Sequence, residues 1–170
     1  ALPAVRDGFT PQQIDLGRYL FFDPVLSGDG TVSCASCHNP EKGFSDGLST
    51  SVGAGNKKLK RAAPSLWNVA FLKKFFWDAR AKTLEEQMAG PLYSPDEMGT
   101  TQTHLVETLN GIESYRHLFQ EAFPSGDKEI ELHEIYTSIA AFESSLISLN
   151  SRYDHYAHGY ADALNKKEIE

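Results

Sequence analysis

The chain has 170 residues, 41% of them hydrophobic, with 16 Lys and Arg against 23 Asp and Glu and a net charge of −7. That length fits one domain, residues 1–170, with a core of its own, and the acidic balance argues against sequence-independent binding to nucleic-acid phosphates, which needs Lys and Arg to neutralise them. No apolar run reaches the length that spans a bilayer, and Ala1-Leu2-Pro3 reads as a mature end left after a signal peptide is cleaved.

In chain order, the periodicity predicts an all-α domain with long irregular stretches. Thr10-Pro11-Gln12-Gln13 reads as an N-cap, a proline at the first helical position and a Gln three residues after the cap. The helix it opens carries Ile14, Leu16, Leu20 and Phe21, and Asp23-Pro24 ends it, because the residue before proline is pushed out of helical geometry. Ser27-Gly28-Asp29-Gly30 is a turn leading into Cys34-Ala35-Ser36-Cys37-His38, placed on a short helix. From Asn39 to Ala63 no period is sustained, and a loop that long is functional or disordered. Thr83-Leu84-Glu85-Glu86 is a second capping box, opening a helix that Gly90-Pro91 terminates. Helical pattern resumes at His104, pauses at Asn110-Gly111 and continues from Ser114 to Phe123, before a turn at Pro124-Ser125-Gly126-Asp127. The clearest helix runs from Glu131 to about Leu149, with Leu132, Ile135, Ile139, Phe142, Leu146 and Leu149 in one stripe. Asn165-Lys166-Lys167-Glu168 reads as a further helix start or a linker.

Cys34 and Cys37 are the two cysteines. They lie too close together to close a useful disulfide loop. A thioredoxin-like redox pair needs a βαβ context that the flanks lack. A structural zinc site needs a second ligand pair, and the other histidines are not at finger spacing. Covalent haem attachment is the third chemistry, and Cys-x-x-Cys-His is its specific signature. Two thiols at this spacing can each form a thioether with one haem vinyl group, and His38 follows as the proximal iron ligand. His104, His117, His133, His155 and His158 read as surface or capping residues.

The string Leu16-Gly17-Arg18-Tyr19-Leu20-Phe21-Phe22-Asp23-Pro24, then Ser27 and Cys34 to His38, resembles the N-terminal half of bacterial dihaem cytochrome c peroxidases. The likeness continues through Ala63-Pro64-Ser65-Leu66-Trp67-Asn68-Val69-Ala70-Phe71, Phe76-Trp77-Asp78-Ala79-Arg80-Ala81, Glu86-Gln87, Gly90-Pro91 and Glu97-Met98. A related branch matures the tryptophan tryptophylquinone of methylamine dehydrogenase. The resemblance implies a class I cytochrome c-like domain with one covalent haem c, which reduces hydrogen peroxide in the periplasm. It implies a second haem domain fed by a small donor protein, a cytochrome c or a cupredoxin, and leaves a homodimer open. By position Trp77 resembles the tryptophan between the two haems, Glu97 the distal acid/base carboxylate and Gln87 its companion. A carboxylate beside an apolar pocket suits that proton transfer, since burial raises its pKa. The plain readings are Glu97 as a first-turn residue of a short helix after Pro95, and Trp77 as core.

Three departures from the family matter. Ala54 stands in Ser51-Val52-Gly53-Ala54-Gly55 where many members place an iron-ligating histidine, so an open or water-filled sixth position is expected, with Met88 or Met98 as the other candidate ligands. Ala62 replaces an Asn that helps bind calcium in the family, so no calcium site is expected. A second Cys-x-x-Cys-His is absent, so the chain reads as one half of a working enzyme. The rivals are a His/Met-ligated monohaem electron carrier, a diatomic-gas sensor, and a dihaem enzyme that oxidises a protein. The acidic balance favours a basic redox partner.

Overall fold

The computed structural model describes residues 8–125 and 129–170 and is built from helices joined by long loops. Ala1-Leu2-Pro3 and the Gly126-Asp127 part of the predicted turn lie outside the described residues.

Helix α1, Pro11–Phe22, starts as its sequence dictates. Thr10 accepts the Gln13 N–H, and the Gln13 side chain returns a bond to the Thr10 N–H. It stops at Asp23, whose carboxylate takes the Val25 N–H and so starts a single 3-10 turn, Pro24–Leu26. Helix α2, Cys34–Cys37, is one turn. The segment after it holds short 3-10 turns and the isolated bridges Asn39–Ser45, Val52–Lys58 and Phe75–Ala81, and no strand forms among the described residues.

Helix α3, Leu84–Tyr93, corrects the expected stop at Gly90-Pro91. Pro91 removes one N–H from the ladder, yet the helix runs on for two residues, and the Ser94 N–H still bonds the Gly90 carbonyl. The capping box there is only half formed. Thr83 accepts the Glu86 N–H, but the Glu86 carboxylate takes the Lys82 N–H.

Helices α4, Gln102–Gly111, and α5, Glu113–Ala122, meet at the predicted break. Helix α6, Leu132–Ser145, ends four residues before Leu149, which is exposed. Apolar periodicity outlasts the helix there, because Leu146 folds back onto an aromatic cluster after the ladder has stopped. The short helices α7, Arg152–Ala157, and α8, Lys166–Ile169, are tied together by a two-pronged Arg152–Glu168 ion pair.

The core sits where α1 crosses α6. Leu16, Leu20 and Phe21 of α1 and Ile135 and Ile139 of α6 are at most 1% exposed. Burying side chains of this size contributes about 1.5–3 kcal/mol each. The crossing is close because Gly17 faces the α6 backbone: a Cβ there would lie 1.8 Å from the Ser138 carbonyl oxygen. Glycine in a helix interior ordinarily costs about 1 kcal/mol relative to Ala, and here the close approach reverses that preference. Gly17→Ala is therefore expected to lower the unfolding free energy by about 3 kcal/mol, read from urea or thermal melts. An unchanged midpoint would mean the crossing does not depend on this contact.

Glu143 is the unusual group in this core. It is buried in the last turn of α6, its Oε2 has no hydrogen-bond partner, and burial, then Glu85, push its carboxyl up to about 8. A carboxyl raised above its ordinary value supports the fold fully only below that value and loses the contribution as pH rises to the folded one. The folded protein should lose stability between about pH 4.5 and pH 8, at up to about 1.4 kcal/mol per unit from this group. Glu143→Gln should flatten that slope and be more stable than the parent at alkaline pH. Equal slopes in chemical denaturation at several pH values would refute this.

Candidate haem site

Helix α2 places both cysteines on one turn, and both are free thiols. Cys34 packs against an apolar cluster of Phe21, Phe44, Leu66, Phe142 and Leu146. Burial, with the charge of Glu143 next, pushes its thiol up to about 12, and burial raises Cys37 as well. Thiols held protonated in this way lack the low pKa of a redox-active Cys-x-x-Cys pair. Among the described residues no group of three or more His, Cys, Asp or Glu is arranged to hold a metal ion.

His38 carries the most informative contacts. Its Nδ1 lies 3.0 Å from the Phe44 carbonyl and 3.1 Å from the Pro64 carbonyl. Carbonyl oxygens only accept, so Nδ1 carries the proton and Nε2 keeps its lone pair. Burial holds the imidazole below its ordinary pKa, in the neutral form that ligates metals. Phe21 lies 6.5 Å from this ring and 6.2 Å from Phe44, so the aromatic cluster fixes both the ring and one of its acceptors. A ligating histidine oriented through its other nitrogen is the arrangement that fixes tautomer and direction together. Free thiols on one turn, a directed Nε2 and an apolar surround fit a covalently attached haem.

Across from α2 the loops converge. Glu97 lies in the turn Pro95–Met98, not in a helix, so the helix-dipole reading of it is withdrawn. Burial raises its carboxyl, a Ser94 hydrogen bond opposes that, Asp96 adds to it and Arg80 lowers it. Its charge also reaches the Cys37 thiol. The hairpin of residues 51–61 is clamped onto this turn. The Ala54 N–H donates to the Glu97 carbonyl at 2.8 Å, Lys57 Nζ donates to Asp96 at 3.2 Å, and a Cβ on Gly53 would lie 2.0 Å from the Asp96 carbonyl oxygen. The Val52 carbonyl sits 3.7 Å from Cys37 Sγ. The structure thus brings Cys37, Val52, Ala54, Glu97 and Arg80 to one place.

Trp77 is 90% exposed, which overturns the core reading. Its loop is strained: Phe76 and Ala79 on either side have φ of 64° and 58°, a region that costs non-glycine residues of order 1 kcal/mol. The Arg80 guanidinium, 3.4 Å above the Phe76 ring and paired with Asp78, pins the loop. Gln87 is half-buried on α3, and Met88 and Met98 are buried in the main apolar cluster. The five remaining histidines are exposed, as expected.

Sequence reasoning missed Arg80, the carbonyls of Phe44 and Pro64, and Glu143. Glu143 left a signal, as a carboxylate set between apolar stripe positions Phe142 and Leu146, and Arg80 stood in the string from Phe76 to Ala81 without a role assigned to it. Backbone acceptors leave none.

The fold is all-α, and it brings two thiols on one turn together with a histidine whose Nε2 is left free. Comparison with known proteins shows the family. The sequence profile of di-haem cytochrome c peroxidase matches residues 11–162. The methylamine utilization protein MauG of Methylorubrum extorquens is 41% identical over 155 residues, covering 91% of this chain and 44% of that protein. The cytochrome c551 peroxidase of Nitrosomonas europaea is 39% identical over 164 residues, covering 95% of this chain and 48% of the relative. A crystal structure of a MauG-like protein associated with microbial copper homeostasis superposes with a TM-score of 0.90 at 36% identity, covering 99% of this chain and 50% of that one. The chain belongs to the di-haem cytochrome c peroxidase family, and it spans about half the length of the relatives it matches.

Proposed function

We propose that this chain is the peroxide-reacting haem c domain of a di-haem cytochrome c peroxidase-like enzyme, a class I cytochrome c-like unit working in the periplasm. The observation that carries the reading is the paired carbonyl capture of His38 Nδ1, which aims Nε2 for metal ligation directly after Cys34 and Cys37. A haem held there supplies the iron at which hydrogen peroxide is reduced. The protein's own residues supply positioning and protons. Glu97, half-buried with a raised pKa, takes a proton from the peroxide oxygen nearer the site and returns it to the farther one, so that water leaves. Gln87 orients the peroxide through its amide. Trp77, held at the surface by its strained turn, is the contact through which electrons arrive from a second haem domain, itself reduced by a small cytochrome c or cupredoxin.

Position 54 would offer a bound haem no side-chain ligand from this turn. Ala54 is anchored by its N–H to the Glu97 carbonyl, so its side chain has little freedom to leave this turn and carries nothing that ligates.

Two experiments test the reading. Glu97→Gln should lower the rate of reaction with hydrogen peroxide by about 10²- to 10⁴-fold, the usual worth of a positioned acid/base group, with unchanged haem absorption. Retained peroxide reactivity would remove Glu97 from the chemistry. Ala54→His should convert a high-spin resting ferric spectrum into a low-spin, bis-histidine one. A parent that is already fully low-spin would overturn the open-site assignment and favour a methionine-ligated carrier.

A further inference from the structure

The last turn of α6 carries a carboxylate into the apolar wall beside Cys34. Glu143 is 6% exposed, its Oε2 has no hydrogen-bond partner, and no cation is among the groups that act on it. Phe142, the residue before it, lies 5.0 Å from Phe21 in the cluster against which Cys34 packs. The charge of Glu143 is felt at the Cys34 thiol. It is absent from the groups that act on His38, whose contacts are Phe44, Pro64 and Phe21. Glu143 therefore belongs to the attachment edge of the site and not to its ligand.

The elements packed on α6 bring little else that titrates. Helix α3 brings Glu85, of like charge, while Glu86 is exposed on the Lys82 N–H and Tyr93 bonds Tyr136. Asp15, Arg18 and Tyr19 of α1 and His104 and Glu107 of α4 are exposed, and the turn Val69–Phe71 has no titratable side chain. On α6 itself Glu134 accepts the Glu131 N–H, and His133 pairs with Glu131. A buried carboxylate without a cation is costly, and a proton is what relieves it. Burial, then Glu85, accordingly push this carboxyl up to about 8. The burial is made by residues of this chain, and further protein on this face would only deepen it.

We propose that Glu143 is a redox-linked proton site, which binds a proton as a haem iron held at Cys34, Cys37 and His38 is reduced and releases it on oxidation. The proposal rests on that haem attachment. Ferric iron carries one more positive charge than ferrous, so a carboxylate buried beside the haem edge favours the ferric form. By reciprocity, reduction makes Glu143 hold its proton more tightly. The step balances: iron gains one electron from a one-electron reductant, and Glu143 Oε2 gains one proton from solvent. Well below the folded value the side chain is neutral in both redox states. As pH rises through it the ferric form acquires the carboxylate first, so the potential falls. Glu143 acts on the iron through its charge and touches no reacting atom.

The test uses the haem-loaded protein expressed from its full native reading frame, titrated with one-electron mediators. The potential of the haem at Cys34 is followed from about pH 5.5 to about pH 9.5. Relative to Glu143→Gln, the parent should shift toward the ferric form by about tenfold across this window, about 59 mV. The two proteins should coincide at the acid end, where both side chains are neutral. Glu97 and other titrating groups move both alike, so the difference between the curves is the readout. Glu143→Asp should keep a pH-dependent difference from Glu143→Gln, which separates charge from packing at this position. Redox-difference infrared spectra of the parent should show a protonated-carboxyl band that grows on reduction and is missing from Glu143→Gln. Parallel parent and Gln curves overturn the proposal. So does an offset that is constant with pH, the result expected if a cation from elsewhere keeps Glu143 ionised. A protein whose haem is extracted by acidified organic solvent would instead sink the haem attachment itself.

Discussion

The close approach of α1 and α6 at Gly17 is the constraint on which the haem site depends. With no side chain between the two backbones, the turns that follow the crossing bring Phe21 and Phe142 to 5.0 Å. Phe21 then meets Phe44 at 6.2 Å and the His38 ring at 6.5 Å. Phe44 offers its carbonyl to His38 Nδ1 while its ring packs edge-on to Trp67 at 5.1 Å. Each link is rigid: two helices, a T-shaped aromatic pair, and a carbonyl that accepts from a single ring nitrogen. The direction in which His38 offers its free nitrogen is thus set by the depth at which two helices cross, more than ten residues away in sequence.

The other side of the site is made differently. The hairpin and the Glu97 turn contain no α-helix and are fastened by backbone bonds to each other and to α3, while the Trp77 loop is closed by its own Phe75–Ala81 bond. Ala54 to Glu97, Gly53 against Asp96, and Met98 to Pro91 replace the side-chain packing that a helix face would provide. Such a construction tolerates changes of side chain, because the anchoring atoms belong to every residue alike. Ala54 shows this: a residue with no functional group occupies an anchored position beside Glu97.

Helices with a cap and a stripe were legible in the sequence. Thr10, Pro11 and Gln13 located α1 to the residue, and the pause at Asn110-Gly111 separated α4 from α5. The Gly90-Pro91 stop misled because a proline forfeits one N–H, which a helix packed on the core can forgo. The stripe ending at Leu149 misled because apolar spacing reports burial, and Leu146 is buried without being helical. Of the site, the attachment string was legible because its chemistry fixes residue types. The acceptors of His38 were not, since any residue has a carbonyl, and the 26 residues from His38 to Pro64 carry no periodicity.

The same aperiodic segment supplies Phe44, Pro64, the hairpin and Trp77, whereas Glu143 belongs to a helix. The backbone groups that hold the loops carry no charge that titrates. The last turn of α6 instead brings an ionisable group into the apolar cluster around Cys34, where burial governs its protonation. Placing the acceptors and anchors in loops and the buried carboxyl in a helix has a structural consequence. The loops set the geometry of the site, and the scaffold packed beneath them sets the electrostatic surroundings of Cys34.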